Sequence, residues 1–359
     1  MTTDIKMSTY KTKDKTDTKE ALADKMKNKE KNSTDNLLDI KYVKNNILKD
    51  DKKFNENFEL LNSIKGGSCG AVYMGKLKKY KKDIAIKIMK KDNSTKNEVS
   101  VHAKLKHHKI PSLYGFYPLG KNYSFIAMEY QKFGDIDNFK KNTIKRSCFS
   151  ETLINYITGN IVEGLFYLHK NHIIHLDIKA QNILVDDCIN FKLSDFSISI
   201  KYDPKKKFIN LPLVGTCYYM SPEVLDQKKI SIDDASKIDI YSLGVLLYYL
   251  AFDDYPYELK NVNHKDFKGI LNNIKEKELI FPEKTGHSDL FINFLKKCLD
   301  KDITKRYNIN QVMNDPWFKG YQKILNEKEN IYNAGKFMCE MLVDSIKSFN
   351  DYINSGNNN

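Results

Sequence analysis

Residues His175–Leu184 read HLDIKAQNIL. Lys179 follows Asp177 by two residues, and Asn182 follows Asp177 by five. Moving a phosphoryl group requires positioning, charge neutralisation and an acceptor for a hydroxyl proton, but little covalent chemistry from the protein. Asp177 can accept that proton, Lys179 can reach the phosphate as a point charge, and Asn182 offers a neutral oxygen to a magnesium ion. The stretch therefore indicates phosphoryl-transfer chemistry.

A second short motif supports this interpretation. Asp195 and Phe196 lie in SDFS, and Asp195 comes thirteen residues after Asn182. The preceding run FKL is typical of a strand, which places Asp195 at a strand end. Magnesium prefers oxygen ligands, so Asp195 is predicted to be a metal ligand together with Asn182.

In this order and spacing the two motifs resemble those of the eukaryotic protein kinase family, whose catalytic loop is H-R-D-x-x-x-x-N. Leu176 stands here in place of the arginine. The resemblance runs from Phe58 to Phe318. It implies an α+β, two-lobed fold with a small β-rich N-lobe that has one main helix (about 58–129). A larger, mostly helical C-lobe follows (about 134–318), with ATP bound between the lobes.

The residue pattern agrees with this architecture. Strands are predicted at FELLNSI, AVYMGKL, DIAIKIM, SLYGFYP and YSFIAMEY. A helix is predicted to begin after Ser94, a suitable N-cap. Later helices are predicted at 151–170, 235–252, 288–299 and 309–314.

The resemblance also implies a nucleotide site. The glycine-rich segment would cover the phosphates with its backbone amides, and Lys65 stands where the family has its first glycine. Its residues are Ile64, Lys65, Gly66, Gly67, Ser68, Cys69, Gly70, Ala71 and Val72. Lys87, in IAIK, would hold the α- and β-phosphates. Glu98 is its expected partner, although the eleven-residue separation is short for the family.

Further contacts to the nucleotide follow from the resemblance. Ala85, Val72 and Leu184 would enclose the adenine, and Glu129–Gln131 would form the hinge beside Met128. Asp135 is placed to meet the ribose or a substrate residue. The expected cofactors are ATP and Mg²⁺, with Mn²⁺ as an alternative.

Two features indicate a serine/threonine kinase rather than a tyrosine kinase. Lys179 is typical of serine/threonine kinases, and Thr216, after Gly215, would hydrogen-bond both Asp177 and Lys179. The predicted reaction is therefore transfer of the γ-phosphate of ATP to serine or threonine hydroxyls of protein substrates. Outside the reaction itself, the resemblance implies a buried Glu223–Arg306 bridge and an Asp239 that braces the catalytic loop.

Two absences in the sequence bear on whether activity depends on phosphorylation. In many kinases the arginine replaced here by Leu176 pairs with a phosphorylated residue. Residues 200–215 contain no serine or threonine, and Tyr202 is their only hydroxyl. We therefore expect activity without phosphorylation of this segment. Ser197, in place of the usual glycine, restricts the backbone after Phe196.

Preference for the residues around the acceptor is less defined. Gln181 stands where kinases that favour arginine-containing substrates often have glutamate, so such a preference is not predicted. The run Lys205–Lys207 either favours acidic substrates or is an ordinary solvated charge run.

Composition limits the alternatives. The chain has 359 residues, a net charge of +13 and six scattered cysteines without a C-x-x-C pair. This cysteine pattern argues against a disulfide framework or a zinc site. We find no apolar run long enough to cross a bilayer and no signal-peptide pattern. An intracellular, cytoplasmic protein with access to the nucleus is expected, without membrane insertion or a specific nucleic-acid partner.

The two ends of the chain are expected to differ from the centre. Residues 1–52 and 354–359 are predicted to be disordered, because they have too few apolar residues to offset ordering entropy. In the extension 319–353, apolar residues recur at helical spacing. This helix either packs on the kinase domain or binds a partner. The spaced residues are Met338, Met341, Leu342, Ile346, Phe349 and Ile353.

Two other functions remain open at this stage. A pseudokinase scaffold would keep the fold and bind nucleotide or partners without turnover. A basic nucleic-acid-binding protein would show strongly salt-dependent affinity for DNA.

Overall fold

The computed structural model describes residues 40–67, 70–143, 148–282 and 286–321. The described chain divides into two compact units. The first takes the residues up to 90 together with 117–125, and the second takes 91–116 and the residues from 126 onward. The predicted extension 319–353 lies outside the described residues beyond residue 321.

Five strands form one sheet, and the first three of them lie entirely within the first unit. Its strands lie in the order β1-β2-β3-β5-β4, and β2 pairs with both β1 and β3 in antiparallel fashion. The strands are β1 (Phe58–Gly67), β2 (Gly70–Leu77), β3 (Lys82–Lys90), β4 (Leu113–Leu119) and β5 (Tyr123–Glu129). All five predicted strands are confirmed. Their sequences show why: short runs of β-branched and aromatic residues favour strands, and glycine, lysine and asparagine favour the turns after them.

The segment before the sheet differs from the expectation of disorder up to residue 52. It contains α1 (Ile40–Tyr42), a five-residue π-helical turn (Val43–Ile47) and α2 (Lys52–Asn57). Val43, Leu48 and Phe54 are buried, and the Phe54 ring lies 5.1 Å from that of Phe125. These three apolar residues are five and six positions apart, which matches neither the helical nor the strand period. Burial of their side chains offsets the entropy cost of fixing the backbone of residues 40–52.

Helices dominate the second unit. They are α3 (Asn93–His102), α4 (Ile136–Thr143), α5 (Glu151–Lys170), α6 (Pro222–Leu225), α7 (Lys237–Phe252), α8 (Phe267–Glu276), α9 (Asp289–Cys298) and α10 (Ile309–Asn314). The four helices predicted downstream of residue 150 are confirmed. The α+β fold class is confirmed as well.

Helix α3 begins earlier than the sequence indicated. Its N-cap is Asp92, whose Oδ1 accepts a hydrogen bond from the Thr95 N–H at 2.9 Å, so the prediction of Ser94 is wrong. Ser94 instead donates its hydroxyl to the same carboxylate oxygen at 2.7 Å. The resemblance assigns this helix to the small lobe, but α3 falls within the second unit.

Short two-stranded ladders organise the loops of the second unit. They pair β6 (Ile173–Ile174) with β9 (Ile200–Lys201), β7 (Ile183–Val185) with β8 (Phe191–Leu193), and β10 (Phe208–Asn210) with β11 (Lys229–Ser231). Helix α7 is buried along nearly its whole length, so it forms the centre of the unit. None of the helices in the described ranges has both the length and the apolar content that crossing a bilayer requires.

The predicted bridge between Glu223 and Arg306 is confirmed. Both Arg306 terminal nitrogens donate to the Glu223 carboxylate, with Nη2 3.1 Å from Oε2. Arg306 Nε also donates to the carbonyl of Asp300 at 2.9 Å, and the guanidinium lies 4.9 Å from the centre of the Tyr241 ring. Arg306 is fully buried, so removing either charge would leave the other unpaired in the interior.

We expect Arg306→Ala to lower the free energy of unfolding by roughly 3–5 kcal/mol, because it leaves the buried Glu223 carboxylate without its partner. The measurement is thermal or urea unfolding followed by circular dichroism. Lys305→Ala, at a neighbouring side chain that is 73% exposed, is the control and should stay near wild type. A variant Tm within about 2 °C of wild type would contradict the structural role of the bridge.

Candidate active site

A buried carboxylate fixes the loop that begins at His175. Asp239, on α7, accepts a hydrogen bond from the His175 N–H at Oδ2 and one from the Leu176 N–H at Oδ1, each 2.9 Å long. His169, near the end of α5, contributes its Nε2 at 2.9 Å from Oδ2. The expected bracing of this loop by Asp239 is therefore confirmed.

The charge of Asp239 is set by these partners. Burial by itself would raise the pKa of the carboxyl, but the hydrogen bond and charge of His169, with the backbone N–H of His175, outweigh burial and lower the pKa below its usual value. Asp239 is therefore an anion at neutral pH. As an anion it can accept from both backbone N–H groups at once.

Asp177 lies at the centre of a cluster of polar side chains. Lys179 Nζ is 2.7 Å from Asp177 Oδ2, and Asn182 Nδ2 donates to the same oxygen at 2.7 Å. Thr216 donates to the other oxygen, Oδ1, through its hydroxyl at 2.9 Å and its N–H at 3.1 Å. Lys179 Nζ also donates to Thr216 Oγ1 at 2.6 Å. The structure thus brings these four residues together, with the Thr216 contacts that the sequence predicted.

Asn182 and Asp195 are neighbours through a short ladder. Strands β7 and β8, which follow Asn182 and precede Asp195, pair with each other. The N–H and the hydroxyl of Ser194 both donate to the Asn182 carbonyl at 2.9 Å. Because Asn182 Nδ2 donates to Asp177, Oδ1 is the amide atom suited to a cation. An amide oxygen and a carboxylate are hard ligands, which fit a magnesium or manganese ion.

The predicted phosphate-covering segment forms a hairpin in the first unit. Ile64 and the next three residues belong to β1, and Gly70 and the next two to β2. The register pairs Lys65 with Val72, Gly66 with Ala71 and Gly67 with Gly70. Gly70 has φ = +138°, and a Cβ there would collide with the carbonyl oxygen of Ile88. Ser68 and Cys69, which come between β1 and β2 in the sequence, lie outside the described residues.

Three predicted nucleotide contacts share one face of the sheet. The register pairs Val72 with Lys87 and Met74 with Ala85. Because side chains alternate along a strand, Val72, Ala85 and Lys87 project to the same side. Lys87 belongs to the first unit and Glu98 to the second, and both are buried. Their ion pair stays a prediction.

The residues after β5 have local partners. Glu129 lies 2.5 Å from Lys192 Nζ through Oε1 and accepts from the Ser112 N–H at 3.0 Å. Burial would raise the pKa of Glu129, but these contacts lower it. The Glu129 side chain is thus occupied by an ion pair, and its N–H donates to the Ser112 carbonyl at 2.9 Å. The hinge role of Glu129–Gln131 stays a prediction. Gln131 is buried.

Asp135 and Leu184 are brought together by an isolated backbone bridge. Asp135 is buried, and its Oδ1 accepts from the Asn138 N–H at 2.9 Å. This contact caps the first turn of α4. Asp135 therefore has a structural role in addition to the predicted ribose or substrate contact.

The segment 200–215 is held by backbone pairing. Strand β9 pairs with β6, and the Tyr202 N–H donates to the His172 carbonyl at 2.9 Å. Gly215 ends the segment with φ = +112°, and a Cβ there would lie 2.9 Å from the Leu176 carbonyl oxygen. Leu176 is buried. An apolar side chain thus occupies the position where many kinases have a phosphate-binding arginine.

Sequence reasoning missed several polar residues that shape this site. His175 Nε2 donates to the Ser194 carbonyl at 3.0 Å, and Asn97 Nδ2 donates to the Ser199 carbonyl at 2.9 Å. His169 completes the environment of Asp239. These contacts join positions 19, 102 and 70 residues apart, so no local spacing could have indicated them.

The chain is similar in sequence to known protein kinases. The family model described as "Protein kinase domain" matches residues 58–318. An Aurora kinase of Debaryomyces hansenii is 32% identical over 280 residues, which cover 75% of this chain and 63% of that protein. Serine/threonine-protein kinase pakD of Dictyostelium discoideum is 29% identical over 297 residues, covering 76% of this chain and 17% of pakD. Serine/threonine-protein kinase PLK4 of Xenopus tropicalis is 27% identical over 296 residues, covering 78% and 29%. The matched region thus spans less than two thirds of the length of each of these relatives.

We expect Asp239→Asn to lower the free energy of unfolding at pH 7 by about 3 kcal/mol, because the neutral amide cannot replace an anion that accepts from His169 and two backbone N–H groups. The folded-state pKa of Asp239 is lowered, so its stabilising contribution is present above the unfolded-state value of about 3.9 and is lost as the pH falls through the folded-state pKa.

Urea unfolding of both proteins between pH 7 and pH 3 checks this expectation. The stability difference between wild type and variant should narrow at the acid end of the range. The exposed Asp233→Asn serves as the matched control. A difference that is constant across the range would contradict the ionic role of Asp239.

Proposed function

Because this chain belongs to the protein kinase family, we propose that it is a serine/threonine protein kinase that transfers the γ-phosphate of ATP to serine and threonine hydroxyls of protein substrates. The observation that carries the proposal is the cluster around Asp177, in which Lys179, Asn182 and Thr216 all contact its carboxylate. The relatives named above support the serine/threonine branch.

Asp177 is the proposed catalytic base. Contacts to both of its oxygens fix the orientation of the carboxylate, which is what a general base needs to receive the proton of an incoming hydroxyl. Lys179 would neutralise charge on the transferring phosphoryl group. Thr216, which bonds both residues, would keep the ammonium beside the carboxylate.

Nucleotide binding is proposed for residues of both units. Lys87, oriented by Glu98, would hold the α- and β-phosphates, and the glycine-rich hairpin would cover them. Asn182 and Asp195 would hold Mg²⁺ or Mn²⁺. When bound, the ion neutralises phosphate charge. The adenine would contact Val72, Ala85, Leu184 and the backbone of Glu129–Gln131, with Asp135 near the ribose.

The wider assignments are proposals as well. We propose a catalytic domain over 58–318, proteins with serine or threonine acceptors as partners, and a docking role for the C-terminal extension. Because the proposed reaction consumes ATP, an intracellular metabolite, we propose that the protein acts inside the cell, in the cytoplasm with access to the nucleus.

Asp177→Asn is expected to lower kcat by about 10²–10⁴-fold, because the amide cannot accept the hydroxyl proton. Thr216→Val should lower kcat by roughly tenfold, and Thr216→Ser should restore most of it. The measurement is transfer of radiolabelled phosphate from ATP to a serine/threonine peptide library.

Asp203→Asn, at an exposed aspartate, is the matched control and should behave as wild type. If the wild-type protein binds ATP but labels no peptide, the chain is a pseudokinase scaffold and the proposal fails. If Asp177→Asn labels peptides at the wild-type rate, the assignment of the base fails.

Phosphatase treatment is expected to leave activity within about twofold of the untreated protein. Leu176 cannot pair with a phosphate, and residues 200–215 contain no serine or threonine. Tyr202→Phe should also retain activity. Loss of activity on phosphatase treatment would contradict this expectation, and a matching loss in Tyr202→Phe would point to Tyr202 as the phosphorylated residue.

A further inference from the structure

We propose that Asn97 is a positioning residue that fastens the segment after Asp195 to helix α3. Its Nδ2 donates to the carbonyls of Ser199 at 2.9 Å and Ser197 at 3.0 Å, and the Phe196 carbonyl lies 3.4 Å away. The inference rests on the proposed function, because it gives Asn97 a part in holding a metal-binding carboxylate in place.

The segment needs an external restraint because its backbone is in a disfavoured conformation. Asp195 has φ = +65°, in the left-handed region that residues with a Cβ rarely adopt. Such a conformation persists only when the surrounding structure determines it. Ser197, two residues on, lacks the conformational freedom of the glycine usual in the family.

Other contacts hold the Phe196 side chain and the end of the segment. The buried Phe196 ring lies 5.1 Å from the His102 ring and 5.2 Å from the His175 ring, between centroids. Ser199 Oγ donates to the His175 carbonyl at 3.1 Å. Asn97 adds a restraint from helix α3, because its single side-chain amide donates to the main-chain carbonyls of both Ser197 and Ser199.

The position of Asn97 links two parts of the proposed site. It immediately precedes Glu98, the proposed partner of the phosphate-binding Lys87. A restraint at Asn97 therefore fixes helix α3 and the Asp195 segment relative to each other. Loss of this restraint would displace both groups that prepare the site for nucleotide and metal.

Asn97→Asp is the most informative variant. It keeps the volume of the side chain but removes the N–H donors and places negative charge against carbonyl oxygens. The side chain is half-buried and lines a cavity of about 280 Å³ whose walls include the exposed Ser100 and Lys104. Water can therefore reach an aspartate there, and we expect the variant to fold. Asn97→Ala is the second variant.

The experiment combines three measurements on the full chain. Hydrogen–deuterium exchange without nucleotide or metal reports the backbone of residues 196–201, thermal unfolding reports stability, and peptide phosphorylation gives kcat and KM. Ser100→Ala is the matched control, since Ser100 lies on the same helix and cavity wall and donates only to the Asn97 carbonyl among the described residues.

In Asn97→Asp and Asn97→Ala, we expect amide exchange in 196–201 to be at least about tenfold faster than in wild type. We expect kcat to fall by roughly ten- to a hundredfold, because displacing the segment misplaces Asp195. KM for the peptide, exchange in β10 and the Tm should stay close to wild type. Ser100→Ala should match wild type throughout.

If amides 196–201 exchange in both variants at the same rate as in the wild-type protein, the inference is overturned. It is also overturned if exchange is faster but kcat is unchanged. A drop in Tm with kcat unchanged at lower temperature would also overturn it, since Asn97 would then serve stability alone. If wild type and Ser100→Ala are both inactive, the proposed function fails, and the exchange measurement still decides whether Asn97 holds the segment.

Discussion

The arrangement of the site depends on one buried negative charge. Asp239 is fully enclosed by the second unit, yet it remains ionised because His169 and two backbone N–H groups offset the cost of removing it from water. Its two oxygens fix consecutive peptide N–H groups and thereby hold Leu176 at φ = +67°. The residue after Leu176 is Asp177, so the direction of the proposed base is determined from the core of the protein.

From that point hydrogen bonds continue to the proposed metal ligands. The His175 ring donates to the Ser194 carbonyl, and Ser194 donates to the Asn182 carbonyl. Asn182 in turn donates to Asp177. The base and the residues beside both metal ligands therefore belong to one connected network. These hydrogen bonds offset the cost of burying His175, Asn182 and Ser194.

The parts of the structure that the sequence predicted well are those with local signals. Helix α7 and its neighbours were predicted from apolar runs. The Asp177 cluster was predicted from the resemblance of HLDIKAQNIL, and of the GT pair before Cys217, to the protein kinase family. The ordered residues 40–52 were not predicted, because Val43, Leu48 and Phe54 are irregularly spaced and become ordered only by packing. The N-cap of α3 was misassigned because Asp92 and Ser94 are both good caps and only the geometry distinguishes them. Asn97 was missed because its acceptors lie about a hundred residues away.

The bridge between Glu223 and Arg306 has a consequence for folding of the protein during its synthesis on the ribosome. Its partners are separated by 83 residues, which a ribosome adds in roughly 4–17 s at about 5–20 residues per second. During that interval the nascent chain carries a carboxylate destined for the interior without the guanidinium that neutralises it. The segment around Glu223 therefore reaches its final packing only after Arg306, near the end of the domain, has been synthesised.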